Sequence, residues 1–126
     1  MSEPTDQSFV VPAAGLRLEQ YDLDEGQVVA GEPRVSSLEL AEAEGLEVGL
    51  WEHTAGVSTD TEVNEVFVVL AGRATITLGD GSTLAVGPGD VGVLRAGEST
   101  TWQVQEDLRK VYLTGIRPRR EDLEET

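Results

Sequence analysis

The chain has 126 residues, enough for one domain with a buried core and too few for two ordinary domains. Its 24 acidic and 9 basic residues give a formal net charge of -15, which would repel a phosphate backbone, so nucleic acid is not expected as a partner. The absence of cysteine excludes disulfides, thiolate nucleophiles and sulfur-ligated zinc.

Hydrophobic residues make up 39% of the chain and are spread along it, which favours a folded protein without a membrane span. The first residues, from Met1 to Asp6, have no basic start and no apolar run after it, so they lack the features of a secretory signal. We therefore expect a cytoplasmic protein with no membrane partner.

Residues 1–33 form the first predicted segment. Short apolar pieces alternate there with Pro12, Gly15, Gly26 and Gly31, and no stretch keeps a helical period. This pattern predicts an N-terminal arm that packs on the rest of the domain or on a second subunit.

Residues 34–117 read as short strands separated by glycine or polar turns, the spacing typical of a β-sandwich or barrel. Residues 65–71 are nearly all apolar, which predicts a central strand, and Gly72 is expected to turn the chain into a second strand over 73–78. Glu106 and Asp107 are expected to separate the last two strands. Hairpin turns are predicted at 79–81 and 87–90, further strands at 46–51, 83–86, 91–94, 99–105 and 110–116, and a charged tail at 118–126.

Three motifs carry a resemblance to a known family. Glu65 is followed after six mostly apolar residues by Gly72; Gly89 and Asp90 precede an apolar pair and Gly97; and the segment 49–56 reads Gly-Leu-Trp-Glu-His-Thr-Ala-Gly. Together they resemble the cupin superfamily, and within it the small ureidoglycine aminohydrolase-like proteins (the Cupin_3 or DUF861 group). The resemblance implies an all-β fold, an antiparallel double-stranded β-helix (a cupin or jelly-roll barrel), and a homodimer.

The metal ligands of this superfamily are mostly missing. Metal-binding cupins use a His-x-His pair before the glutamate and a histidine in the second motif, whereas this chain has one histidine, His53, and Thr100 at the last position. No metal or other cofactor is therefore expected. His53 could still approach Glu65 and Asp60 to form a mixed site, or it is a strand residue that makes a hydrogen bond.

Glu65 is the candidate catalytic residue, because the cupin register points it into the barrel. A buried carboxylate must be hydrogen-bonded, protonated or paired with a cation, and each arrangement tunes its pKa as general acids and bases require. Alternatively it is a structural carboxylate that accepts a hydrogen bond from Thr100 or Thr101.

The predicted ligand pocket has an aromatic wall and a few polar groups, which suits a small apolar or cationic organic molecule. Alternatively, the rings only fill a small barrel. The predicted pocket residues are Trp51, His53, Phe67, Thr100, Trp102 and Tyr112.

Three functions stay open at this point. The first is a binding module that holds a small molecule without a metal site. The second is an enzyme of the amidohydrolase or isomerase type with Glu65 as general base, with or without a metal aided by His53. A second catalytic group is missing there, because the hydroxyls and carboxylate of residues 58–61 have no evident activating base in the sequence. The third is a dimerisation domain whose arm extends a neighbour's sheet.

Overall fold

The computed structural model describes residues 7–118, which contain nine strands and no helix. The all-β prediction is therefore confirmed, and no apolar helix of membrane-spanning length occurs in this part of the chain. The strands are β1 (Glu19–Tyr21), β2 (Val28–Ala30), β3 (Val35–Ala43), β4 (Leu46–His53), β5 (Gly56–Thr61), β6 (Glu65–Leu78), β7 (Thr83–Val86), β8 (Val91–Leu94) and β9 (Ser99–Thr114).

All strand pairs are antiparallel, and the two long strands β6 and β9 join two halves of one curled sheet. The first half has the order β1-β3-β4-β9-β6-β8 and uses the end of β9 and the start of β6. The second half has the order β2-β5-β9-β6-β7 and uses the start of β9 and the end of β6. The two halves enclose an apolar core and, beside it, a polar cavity.

Gly72 lies inside one continuous strand, so the prediction of a turn at this position is wrong. The register of β6 against β9 shifts between Val69 and Ala74, and Gly72 has a φ of 88° within that irregularity. The bulge changes the side-chain parity, because Val69 and Ala74 are both buried although they are five residues apart. This lets one strand contribute to the core in both halves of the sheet.

β9 is also continuous, so the expected break at Glu106 and Asp107 is wrong. Both residues are exposed, but the strand runs through them from Ser99 to Thr114. The buried side chains are those of even-numbered residues, both before and after this position. They are Thr100, Trp102, Val104, Leu108 and Lys110.

The arm is attached to the chain's own sheet. β1 pairs with β3 and β2 pairs with β5, while the Arg109 guanidinium donates hydrogen bonds to the carbonyls of Ala13 and Leu16 and pairs with Glu52. Contact of residues 1–33 with a second subunit stays a prediction. The predicted tail at 118–126 lies, apart from Pro118, outside the described residues.

Candidate functional site

A cavity of about 510 Å³ opens between the arm and the inner faces of β3, β4, β5, β6 and β9. Its lining is rich in groups that hydrogen-bond or carry charge. The carboxylates are Asp22, Asp24, Asp60, Glu62 and Glu65. The hydroxyls belong to Tyr21, Ser37, Ser58, Thr59, Tyr112 and Thr114. Against these five carboxylates the lining includes a single cation, Lys110.

Lys110 and Glu65 form a buried ion pair. Lys110 Nζ lies 2.7 Å from Glu65 Oε2, and both side chains are more than nine-tenths buried. No residue between 7 and 118 gives this oxygen a hydrogen bond of good angular geometry, so the attraction between the two charges is the main interaction. Burial raises the pKa of Glu65, and the Lys110 ammonium opposes that rise.

Three aromatic rings surround the same ammonium. Lys110 Nζ lies 4.3 Å from the ring centroid of Trp51, 4.6 Å from that of Trp102 and 4.7 Å from that of Phe67. Each such cation–π contact is worth on the order of 0.5–2 kcal/mol, more when the cation is desolvated. The ammonium is thus held by one carboxylate and by an aromatic box formed by the rings of Trp51, Phe67 and Trp102.

Glu62 is a second buried carboxylate with partners of its own. Its Oε2 accepts hydrogen bonds from Thr100 Oγ1 at 2.7 Å and from Trp102 Nε1 at 3.0 Å. Thr100 therefore does not serve Glu65, as the structural alternative supposed. Glu62 instead fixes the orientation of the Trp102 indole against Lys110.

The outer part of the cavity is bounded by Tyr21 and Asp60. Tyr21 Oη accepts a hydrogen bond of 3.0 Å from Trp51 Nε1, which ties β1 to the aromatic box. Burial raises the pKa of Asp60, and the nearby Glu62 carboxylate raises it further. The negative charges in this cavity therefore disfavour one another.

His53 lies behind the cavity wall and is almost completely buried. Its Nδ1 is 2.7 Å from the carbonyl oxygen of Thr54, and its Nε2 is 2.8 Å from Ser58 Oγ. Burial lowers the pKa of His53, which keeps the ring neutral at pH 7. His53 thus makes the hydrogen bonds of a strand residue, and no cluster of three His, Asp or Glu side chains suited to a metal occurs among residues 7–118.

The structure brings most of the predicted pocket residues together. Glu65, Trp51, Trp102 and Tyr112 line the cavity. Phe67 closes the aromatic box from the core side, while Thr100 lies outside the lining and donates a hydrogen bond to Glu62. Tyr112 donates a 2.6 Å hydrogen bond to Glu47, away from the ion pair. Their role in binding a ligand stays a prediction.

Lys110 is the main site residue that the sequence did not predict. It is the only lysine in the chain, and it shares the inward parity of Trp102. In the sequence, Glu106 and Asp107 indicate a turn, and a turn there would end the strand before Lys110. Glu62 lies in the short connection before β6, where no periodicity predicts burial.

Comparison with known proteins gives a consistent assignment. A family model described as EutQ-like cupin domain (Cupin_3) matches residues 40–112, more than half of the chain. No curated protein matches at a significant level.

Several solved structures have the same fold. A DUF861 family protein of unknown function from Pseudomonas syringae pv. tomato is 25% identical with a TM-score of 0.70, over 78% of this chain and 44% of that one. A cupin superfamily protein from Desulfitobacterium hafniense is 20% identical with a TM-score of 0.58, over 81% and 100%. A putative ethanolamine utilization protein Q from Salmonella typhimurium is 20% identical with a TM-score of 0.57, over 64% and 68%.

The motifs around Glu65 and Gly89, the curled antiparallel sheet and the family match agree, and the chain belongs to the EutQ-like cupin domain family.

Proposed function

We propose that this protein binds a small, positively charged organic molecule in the cavity beside Lys110 and Glu65. The observation that carries the proposal is the charge of the lining, where five carboxylates stand against one ammonium. That ammonium is already paired with Glu65, so the remaining carboxylates present an uncompensated negative potential to a ligand.

The direction of two pKa shifts supports a cationic ligand. Burial raises the pKa of Glu65 and of Asp60, and in both cases neighbouring carboxylates raise it further. A cation bound near Asp60 would relieve this repulsion and lower the pKa of the carboxyl. Hydroxyls of Ser37 and Thr59 are available for hydrogen bonds to the same ligand.

The alternative, an enzyme with Glu65 as general base, has less support. A general base must be free to take a proton from the substrate, whereas the charged oxygen of Glu65 lies 2.7 Å from an ammonium. The contact supports a role for Glu65 in holding Lys110 inside the aromatic box.

Thermal unfolding with and without ligand tests the proposal, because a ligand that binds the folded state raises Tm. The probes are two cations, each with its controls. Choline is compared with its neutral isostere 3,3-dimethyl-1-butanol, and ethanolamine is compared with neutral ethylene glycol and anionic glycolate. Ethanolamine is included because one structural neighbour is named as an ethanolamine utilization protein. We expect a rise in Tm with the two cations only.

Matched variants assign the effect to the cavity. Asp60→Asn removes a carboxylate from the lining, and Glu42→Gln removes one from the exposed edge of β3. We expect the first variant to weaken the rise in Tm and the second to leave it intact. Equal shifts with cations and neutral isosteres, or none with any probe, would count against the proposal.

A further inference from the structure

We propose that Ser58 and His53 form a nucleophile and general-base pair that reacts with activated acyl compounds, esters or thioesters, entering the cavity. The sequence shows no activating base for Ser58, and the structure supplies one, His53, from the preceding strand β4. The inference shares its cavity with the proposed function and rests on it only for access of a small molecule to Ser58.

The hydrogen bonds fix the tautomer of His53. Its Nδ1 faces the carbonyl oxygen of Thr54 at 2.7 Å, and a carbonyl can only accept, so Nδ1 carries the proton. Nε2 then has a free lone pair, to which the Ser58 hydroxyl donates over 2.8 Å. A serine that donates to an imidazole oriented by a third group is the arrangement that activates serine nucleophiles.

Strand pairing holds both residues rigidly. His53 is the last residue of β4 and pairs with Val35 on one side and Leu108 on the other. Ser58 lies in β5 between Val28 and Trp102. β4 and β5 pair with successive segments of β9 and are joined by only two residues, so their shared partner strand sets the contact, which does not depend on a long loop.

The position of Ser58 on the cavity wall separates this pair from an ordinary core hydrogen bond. Ser58 lines the cavity of about 510 Å³, and His53, which is 1% exposed, lies behind it. An acyl carbon would therefore approach Ser58 from the cavity, while the imidazole stays shielded from water.

The proposed reaction balances without any further cofactor. Ser58 Oγ bonds to the acyl carbon, its proton passes to His53 Nε2, and the bond from the acyl carbon to the leaving oxygen or sulfur breaks as His53 returns the proton to that atom. The acyl group remains on Ser58 as an ester. Water then gives a proton to His53 and attacks the ester, which releases a carboxylic acid and restores the Ser58 hydroxyl.

Acylation by p-nitrophenyl acetate tests the inference, with intact mass and peptide mapping of the full chain as readouts. We expect one acetyl group per chain, located on Ser58. Mapping of the wild-type protein needs no variant, so it is informative even if a substitution at Ser58 prevents folding. A chain that carries no label and releases no p-nitrophenolate above the buffer rate, or a label on Lys110 or the α-amino group in place of Ser58, would overturn the inference.

Variants test the role of His53. His53→Gln should slow acylation of Ser58 at least ~100-fold, since general bases contribute about 10²–10⁴-fold. Ser58→Ala should abolish the label. Ser36 lies on β3 outside the cavity lining, so Ser36→Ala should leave the rate of Ser58 acylation unchanged. A His53→Gln variant that is acylated as fast as wild type would refute the pair.

The two proposals fail separately. The acyl probe is neutral and does not need the carboxylates that recognise a cation. Acylation of Ser58 without any choline-dependent rise in Tm would reject the proposed function alone. A rise in Tm without acylation would reject the Ser58 and His53 pair alone.

Discussion

The ammonium of Lys110 lies 2.7 Å from Oε2 of Glu65, and neither side chain has appreciable contact with solvent. The two charges attract each other strongly, but both ions lose their hydration, so the net contribution of the pair to stability is small. Removing one partner is nevertheless costly, because the other charge stays buried without a counterion. The aromatic box offsets part of that cost for the ammonium alone. Removing Lys110 and removing Glu65 should therefore destabilise the protein by different amounts.

Lys110→Met should destabilise the protein by about 3–5 kcal/mol at pH 8, because it leaves Glu65 buried without a partner. The loss should be smaller at pH 5, since the pKa of Glu65, already raised by burial, rises further without the ammonium and the carboxyl can be neutral there. Urea unfolding at the two pH values measures both quantities.

Two controls accompany this variant. Arg34→Met removes an exposed cation and should change stability by no more than about 0.5 kcal/mol. The double variant Glu65→Gln with Lys110→Met should recover part of the loss at pH 8, because no buried charge remains. Equal loss in the single and double variants would contradict the ion-pair account.

Glu62→Ala should cost about 1–3 kcal/mol, because it leaves the Trp102 Nε1 donor without an acceptor, whereas Thr100 Oγ1 keeps the carbonyl oxygen of Asp60 at 3.4 Å. Glu62→Gln keeps one acceptor oxygen and should cost less. Denaturant unfolding followed by tryptophan fluorescence compares the two variants. If the alanine variant proved as stable as the glutamine variant, Glu62 would not be orienting the Trp102 indole.

Gly92→Ala should disturb the aromatic box from behind. A Cβ at this position on β8 would overlap three ring atoms of Phe67, the farthest at 2.9 Å, so the ring must shift from its place in the aromatic box. Overpacking of this kind costs about 1–3 kcal/mol, measured by the shift in the urea midpoint. Gly15→Ala, where nothing lies within 4 Å, is the matched control and should leave the midpoint unchanged.

Acylation of Ser58 should slow as the pH falls below 6.5. The base must be neutral, and burial places the pKa of His53 below that ordinary value, so the rate should be constant above it and decline as the pH drops through the lowered pKa. Lys110 also lowers this pKa, while Asp107 and the carbonyl acceptors raise it. A rate that does not vary from pH 8 to pH 4 would exclude His53 as the base.

The sequence predicted the fold well because its strands alternate and its turns are marked by glycine. It failed where a strand contains an irregularity, since Gly72 and the exposed pair Glu106 and Asp107 look like turns locally. Only the pairing of β6 with β9 shows that both strands continue through these positions. Long-range pairing overrides local turn signals in such cases.

The candidate site was predicted only in part, because strand parity identified some of its residues and the apparent turn in β9 hid others. Glu65 and Trp102 follow from strand parity and a family motif, and both face the cavity. Lys110 was missed because its parity depends on continuity through the apparent turn in β9. The contact of Ser58 with His53 depends on how β4 and β5 follow one another along β9 across a two-residue connection, and strand periodicity alone does not give this.

Titration of intrinsic tryptophan fluorescence tests the central claim most directly, because the two tryptophans of the chain, Trp51 and Trp102, both contact Lys110 in the aromatic box. Choline should produce a saturable change in emission that 3,3-dimethyl-1-butanol does not produce at the same concentrations. If both probes changed the emission equally, or neither changed it, the cavity would not be a site for a cationic ligand.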